Sequence, residues 1–431
     1  MNSSAIPSLP TPSWPRAECQ RVLVWLALAA CSLQAHAHGE ADDPLPPEPG
    51  VVLQAAAAVR HLSSSATLPS ARLAGYLLQG DAGPSLTGTQ LEHGTLGLAA
   101  RLDDTWGAQL VLGQHGSDPI HTEAAWLQAR HDAEEAVWLL TAGRQQPALG
   151  AVLGGAGHLD RFGLVPLAAR MAVNDRWVDD GLQLGWRSDS GTSRWQMDAG
   201  LWRGQVFPGS AQGGAVPSLH LGWAQGPWAL DAVAARFKPQ GRGSAVGGTA
   251  GHSHNAPVCD ANLTQVVCFS GQSPVAAASL RWSGPDAAPA WPLTLTAAGW
   301  LRRDAGTLTS ANGQADYHAH NRAGWLEAQW HLHPQWQLAW RGERLSAKQT
   351  LTGPGASLLA VETQIKAYAP ITRHSLVLAH NPVPWAKVYL ETGQETASSH
   401  RASFVALRLV LEGATKTLTP TLSRERERER E

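Results

Sequence analysis

The stretch Gly324 to Arg344, GWLEAQWHLHPQWQLAWRGER, holds two alternating segments that face each other across a His333-Pro334 turn. In the first arm Leu326, Ala328, Trp330 and Leu332 fall on one side of an extended chain, and Glu327, Gln329, His331 and His333 on the other. The second arm repeats the pattern, with Trp336, Leu338 and Trp340 opposite Gln337, Ala339, Arg341 and Glu343. A soluble sandwich also alternates, but its outer face is polar and its core is rarely so rich in Trp. Tryptophan suits the two interfaces of a bilayer, so the apolar face is expected to meet lipid.

The composition agrees. There are 19 Trp against 4 Tyr and 5 Phe, 43 Gly, 16% charged residues and a formal net charge of -2. A balance this close to neutral excludes a strongly basic nucleic-acid binder. Beyond the first residues no apolar run approaches the ~20 residues that a spanning helix needs. A membrane protein built without such runs closes its backbone hydrogen bonds in a barrel. The expected fold is all-β, an antiparallel transmembrane β-barrel.

The N-terminus carries a targeting pattern. Arg16 and Arg21 precede the apolar run Val22 to Ala30, and Ala35-His36-Ala37 follows as a small-x-small cleavage site. Residues 1–37 are expected to be a signal peptide and residues 38–50, acidic and Pro-rich, a periplasmic linker. Leu28-Ala29-Ala30-Cys31 also resembles a lipobox, which offers lipidation of Cys31 as an alternative processing route. Cys259 and Cys268 are close in sequence in a Gly- and Ser-rich loop, and an oxidising compartment favours a disulfide between them. The competing reading there is zinc held with His252 and His254.

Along the chain, strand-like segments come in pairs joined by tight turns. Leu91 to Leu102 and Thr105 to Gln114 flank Asp103-Asp104, and Leu219 to Gln225 and Trp228 to Phe237 flank Gly226-Pro227. Longer links lie between the pairs, over roughly 115–122, 145–177, 204–216, 239–273, 304–320 and 346–371. Short connections alternating with long ones are the asymmetry of an outer-membrane barrel, with short periplasmic turns and long external loops. With both termini on one side the strand number is even. Assigning Ala71 to Leu78 to the first long loop gives about 16 strands, within roughly 14 to 18, over residues 51–413. Residues 414–431, ending in alternating Arg and Glu, have no apolar partner and are expected to be a solvated, disordered tail. No aromatic residue follows Phe404, although such barrels usually end on one as an assembly signal, so the tail is expected to affect insertion by the barrel-assembly machinery.

The polar faces supply the candidate pore lining: Arg130, Arg187, Glu327, Gln337, Arg341, Glu343, Lys387, Tyr389, Glu391 and Arg408. Both signs are present, so a wet lumen with a transverse field is expected rather than a ring of one sign. About half of these charges are expected to do no more than pair with one another and stabilise the interior. The link from Gln145 to Trp177 is long enough to fold inward. Its HLDRF and PLAAR pieces are more apolar than an exposed loop should be, so a constriction is expected there, with His158, Asp160 and Arg161 as its candidates. The alternative is a loop packed on the rim.

No phosphate-binding loop, nucleophile elbow or HExxH occurs, and no Ser, His and acid have a spacing that assembles a triad, so neither an enzyme nor a cofactor is expected. The recurrent chemical pattern is His-x-His, at His252/His254, His318/His320 and His331/His333. Residues i and i+2 share a strand face, so such a pair can present two imidazoles to one metal.

The run from Glu123 to Trp186, with EAAWLQAR, AGRQQPALG, GHLDRFGLVPLAAR and WVDDGLQLGW, resembles the porin-like outer-membrane proteins of proteobacteria, the phosphate-selective-porin-like group broadly taken. The likeness continues in RGQVFPG from Arg203, in CFSGQSPVAAASLRWS and in AGWLEAQWHLHPQWQLAWRGERL. It implies one barrel in the outer membrane of a Gram-negative bacterium that passes or binds small solutes. The pattern departs at Asp160, where relatives carry a second His beside His158, and the basic clusters of a phosphate-selective channel are absent, so phosphate is not carried over. The expected function is a passive channel for small hydrophilic solutes, with outer-membrane lipid around it, no nucleic acid, and a homotrimer by analogy. The alternative is a barrel that binds metal through its His-x-His pairs and external loops.

Overall fold

The computed structural model describes residues 45–72, 87–116, 118–154, 160–210, 212–245, 259, 266–284, 292–363, 365 and 370–415. The signal peptide, Cys31, the greater part of the linker, most of the Ala71 to Leu78 segment, and the Arg/Glu tail from residue 416 lie outside the described residues.

The strands are β1 (Gly50–Ser64), β2 (Gly88–Arg101), β3 (Trp106–Gln114), β4 (His121–Ala133), β5 (Ala136–Gln145), β6 (Asp179–Asp189), β7 (Ser193–Trp202), β8 (Val216–Gln225) and β9 (Trp228–Phe237). A four-residue strand, β10 (Arg242–Ala245), precedes β11 (Val266–Ser283), β12 (Leu293–Ser310) and β13 (Gly313–His333). β14 (Trp336–Thr352), β15 (Ile371–Val383), β16 (Ala386–Ala397) and β17 (His400–Ala414) complete the sheet. Apart from β10, each strand pairs antiparallel with the next, β9 with β11, and β1 pairs with β17 from Gln54↔Ala414 to Ser64↔Phe404, so the sheet closes on itself. β10 pairs only with the first residues of β11, above the point where β9 joins it. The wall therefore has sixteen staves, and closure leaves no free edge.

Alternation sorts the side chains. Leu96, Leu98, Leu127, Leu182, Leu184, Leu326, Leu390, Leu407 and Leu409 are exposed on the outer face. Between them Ala99, Gln183, Glu327, Glu391, Ala406 and Arg408 point inward. An apolar outside around a polar inside is the inverse of a water-soluble sandwich and fits a lipid surround. Tryptophans mark one edge of that surface. Trp138 pairs with Trp186, Trp195 with Trp223 and Trp228 with Trp282, while Trp106 and Trp336 open their strands beside short turns. All sit near the short-turn end, where amphipathic rings suit a membrane interface.

Two expectations need correction. Residues 304–320 are no loop: β12 and β13 run through them and join at Ala311-Asn312, with Ser310 opposite Gly313. Asn312-Gly313 is a tight-hairpin signal, and Gly313 takes φ +125°, which glycine adopts without strain. Likewise β14 continues to Thr352, so the long link there begins later than residue 346. β11 to β14 span 17 to 21 residues, against 9 to 13 in β3 to β9, and one side of the barrel stands taller than the other. The second correction concerns Trp. Trp177, Trp202, Trp300 and Trp325 are buried inside the barrel, not at its lipid face.

Candidate functional site

The link between β5 and β6 folds into the lumen. It enters through a 3-10 turn at Gly150–Leu153 and returns through a short helix, α1 (Leu167–Val173), whose seven residues are all buried. Leu149, Val152, Leu167, Met171, Val173 and Trp177 pack on wall residues Trp202, Val233, Phe237, Trp300, Trp325 and Leu345. Phe162 fills a second apolar contact among Ala58, Ala339, Val377, Ala379, Tyr389 and Val410. Small alanines on the inner face make room for the segment. This gives the barrel an interior hydrophobic core, which an empty sixteen-stranded wall would lack.

The polar backbone of the segment needs partners once it is dry, and charged wall residues provide them. Gly163 N donates to Glu391 Oε2 at 2.8 Å, Leu167 N to Glu343 Oε2 at 2.6 Å, and Ala151 N to Asp231 Oδ2 at 3.0 Å. In return the carbonyls of Asp160, Val165 and Met171 accept from the guanidinium groups of Arg408, Arg373 and Arg302. Trp300 Nε1 donates to the carbonyl of Val152 at 2.9 Å. Arg161 reaches Glu327 at 2.5 Å, which Arg341 also holds at 2.7 Å, and the Arg341 guanidinium lies 4.0 Å from the centre of the Phe162 ring. Gly150 adopts φ +57°, and a Cβ there would collide with the Asp231 carboxylate. Inside the segment, burial pushes the Arg170 guanidinium down from its ordinary value, opposed by Asp175 and Glu395.

The expected wet lining is thus divided. Glu327, Arg341, Glu343, Glu391 and Arg408 face inward, but they are buried, covered by the segment they clamp. Tyr389 lies beside Arg408, and Lys387 pairs with Glu412 at 3.0 Å near the short-turn end. Gln337 turns toward His331. Arg130 bonds Asp132 at 2.8 Å, and Arg187 bonds Asp198 at 2.8 Å, both on the opposite wall. That wall remains open. Between the segment and strands β2 to β9 lies a cavity of about 1420 Å³, reaching from His93 and Glu123 toward the long-loop end to Glu134 and Glu135 at a short turn. Arg176, Asp175 and Asp160 of the segment border it, and Arg187 lies on its wall side.

Among the described residues the histidine pairs do not converge. His318 and His320 lie on the outer face. His331 faces inward with both ring nitrogens hydrogen-bonded, to Gln329 and Gln337, and His333 stands at the turn where the register slips. His158, His252 and His254 lie outside the described residues. Cys259 and Cys268 form a disulfide with Cα atoms 5.9 Å apart.

Several inner residues escape the alternation. Arg302, Arg373, Glu92, Glu395 and Asp304 are buried charges of the same network. The TRHSLVLAH pattern carries the signal that sets Arg373 opposite Leu376 and Leu378, whereas Asp304 was hidden by reading residues 304–320 as a link. Glu92 and Glu123 are each the extra residue of a bulge, which breaks the period of two. His93 and His115 accompany Glu123, with Nε2 atoms 2.7 and 3.1 Å from its Oε1. Burial, the largest cause, pushes the His115 imidazole down to about 4 against the pull of that carboxylate, which leaves it neutral at pH 7.

No family model matches the chain, and no curated protein matches it. Solved structures do. A loop-deletion form of OmpT, an outer membrane protein of Vibrio cholerae, is similar with a TM-score of 0.53 at 12% identity, covering 84% of this chain and 98% of that one. The trimer form of in-vitro folded OmpT gives 0.52 at 12% identity, over 84% and 98%. An anion-selective porin from Comamonas acidovorans gives 0.50 at 10% identity, over 85% and 100%. At such identities the likeness establishes the fold, that of porin-type outer-membrane barrels, and not the subgroup or the solute.

Proposed function

We propose that this chain is an outer-membrane channel for the passive passage of small hydrophilic solutes. The observation that carries the reading is the division of the lumen. One wall is sealed by the clamped segment, and the other keeps a cavity bordered by charges of both signs that extends along the barrel from a short turn toward the long loops. A barrel meant only to anchor or to bind at its loops needs no such passage. The Trp-bordered short turns would face the periplasm and the long connections the outside, in line with export by the signal peptide. Three copies are the assembly to look for, by analogy with the OmpT trimer form.

Both signs border the passage, with Asp160, Asp175, Glu123 and Glu135 against Arg176 and Arg187. Opposed charges across a gap orient dipolar solutes, and the excess of carboxylates along the lining favours small cations over anions. The test is single-channel recording. Folded protein, checked by heat-modifiable gel mobility, is expected to give discrete conductance steps in a planar bilayer with potassium more permeant than chloride. A folded barrel that stays silent overturns the reading.

A further inference from the structure

Three imidazoles and one carboxylate meet on the passage wall toward the long-loop end. His93 comes from β2, His115 follows the last residue of β3, and His121 and Glu123 belong to β4. The Nε2 atoms of His93, His115 and His121 lie 2.7, 3.1 and 3.7 Å from one oxygen, Glu123 Oε1. The His93 and His115 rings stack with centroids 4.3 Å apart, and His121 stacks on His115 at 5.1 Å. Ligand atoms of His93, His115 and Glu123 all lie within 4.8 Å of one another.

Local architecture builds this group. The bulge at Glu123 turns its carboxylate inward next to Thr122, a device that re-aims a side chain at the cost of one ladder step. His115 and His121 bracket the short link between β3 and β4, so the chain reversal brings them side by side. His93 is 2% exposed and fixes the buried end of the stack, while the His121 side chain is 37% exposed and forms its open end. Glu123 and His93 border the passage.

Two imidazole nitrogens and one carboxylate oxygen form the three-ligand set of an open zinc site, with metal–ligand bonds of about 2.0–2.2 Å, and the more distant His121 stands beside its fourth position. Neighbouring donors on a tetrahedron of that radius are roughly 3.3 Å apart, so the 2.7 and 3.1 Å separations of His93 and His115 from Glu123 Oε1 need only widen slightly, while one of the two stacked rings turns so that both planes meet the ion. Imidazole selects borderline transition ions, whereas calcium and magnesium take oxygen cages. We propose that His93, His115 and Glu123 form a binding site for a divalent transition metal of the zinc class on the wall of the passage, with His121 beside its fourth position. The site shares no residue with the His-x-His pairs. It does not rest on the channel reading, since a barrel that conducts nothing would still bind the ion.

The test uses the full chain, folded in detergent and stripped with a chelator, titrated calorimetrically with Zn²⁺ alone. A parallel titration with Co²⁺ is followed by visible absorption. One tight Zn²⁺ per chain and the intense bands of tetrahedral Co²⁺ are expected. Glu123→Gln and His115→Ala should each weaken binding by at least about tenfold, since even an outer-shell partner of a metal ligand contributes 10–100-fold. His121→Ala, at the exposed end, is the variant least able to disturb folding, and heat-modifiable mobility checks all three. Joint replacement of His318 and His320 by Ala should leave affinity unchanged, and so should joint replacement of His252 and His254. Absence of stoichiometric Zn²⁺ binding by the folded chain overturns the proposal. So does binding that survives both Glu123→Gln and His115→Ala, or that is lost with either His-x-His pair.

Discussion

Arg373→Met is expected to destabilise the folded barrel by about 3–5 kcal/mol, the usual cost of removing one partner from a buried ion pair. Arg373 holds Glu343 at 2.7 Å and Glu395 at 3.5 Å, and all three side chains are almost fully buried. It also donates to the carbonyl of Val165, while Glu343 accepts from Leu167 N, so one guanidinium ties together two carboxylates and both flanks of the turn before α1. Methionine keeps the stem and strands two buried charges. Arg373→Lys should recover only part of the loss, because an ammonium cannot reproduce the planar fork that serves carboxylates and a carbonyl at once. Adding Glu343→Gln to Arg373→Met should restore some stability by removing one stranded charge. The measurement is the temperature at which the folded band is lost on heating before electrophoresis. An Arg373→Met midpoint equal to that of the wild type would contradict the clamped-segment account.

Replacing Ala151 to Arg176 by a Gly-Ser linker is expected to raise single-channel conductance at least about twofold, because a sixteen-stranded wall without an inward segment encloses an aqueous channel. The wall does not depend on the segment for its hydrogen bonds. β5 and β6 pair from Ala136↔Ser188 to Gln145↔Asp179, and the linker joins them beyond that ladder. Trp300, Trp325 and Phe237 would lose their apolar cover, so the variant should also unfold at a lower temperature. Steps of unchanged size from a folded variant would mean that the segment does not limit the passage.

The wall was legible in the chain wherever strands alternate without interruption. Gly324 to Arg344 sorts its faces as the residues suggest, with Glu327, Arg341 and Glu343 inside and Leu326 outside, and the even strand count follows from the turns. Alternation fails where a bulge adds a residue, which concealed Glu92 and Glu123, and where a two-residue turn lies in polar sequence, as at Ala311-Asn312. The length of the 145–177 link and its PLAAR piece pointed to an inward fold. What they did not reveal was its destination. Whether Glu391 meets water or Gly163 N depends on which wall the segment leans against, and contacts more than two hundred residues apart in sequence leave no local trace. For the same reason the charged inner face showed that about half of its charges would only pair and stabilise the interior, but not which of them the segment covers.

Solutes are expected to travel beside the segment, along β2 to β9, and not behind it. Thr95 lines that passage, whereas Ser375 is buried behind the segment beside Arg373. Cys259 and Cys268 are paired, so in a chain cleaved after Ala37 an introduced thiol is the reactive one. Single-channel current is recorded from Thr95→Cys and Ser375→Cys before and after a charged methanethiosulfonate reagent is added. A stepwise fall in current for Thr95→Cys with no change for Ser375→Cys is the predicted result. Block at Ser375→Cys with an unaffected Thr95→Cys would contradict the account.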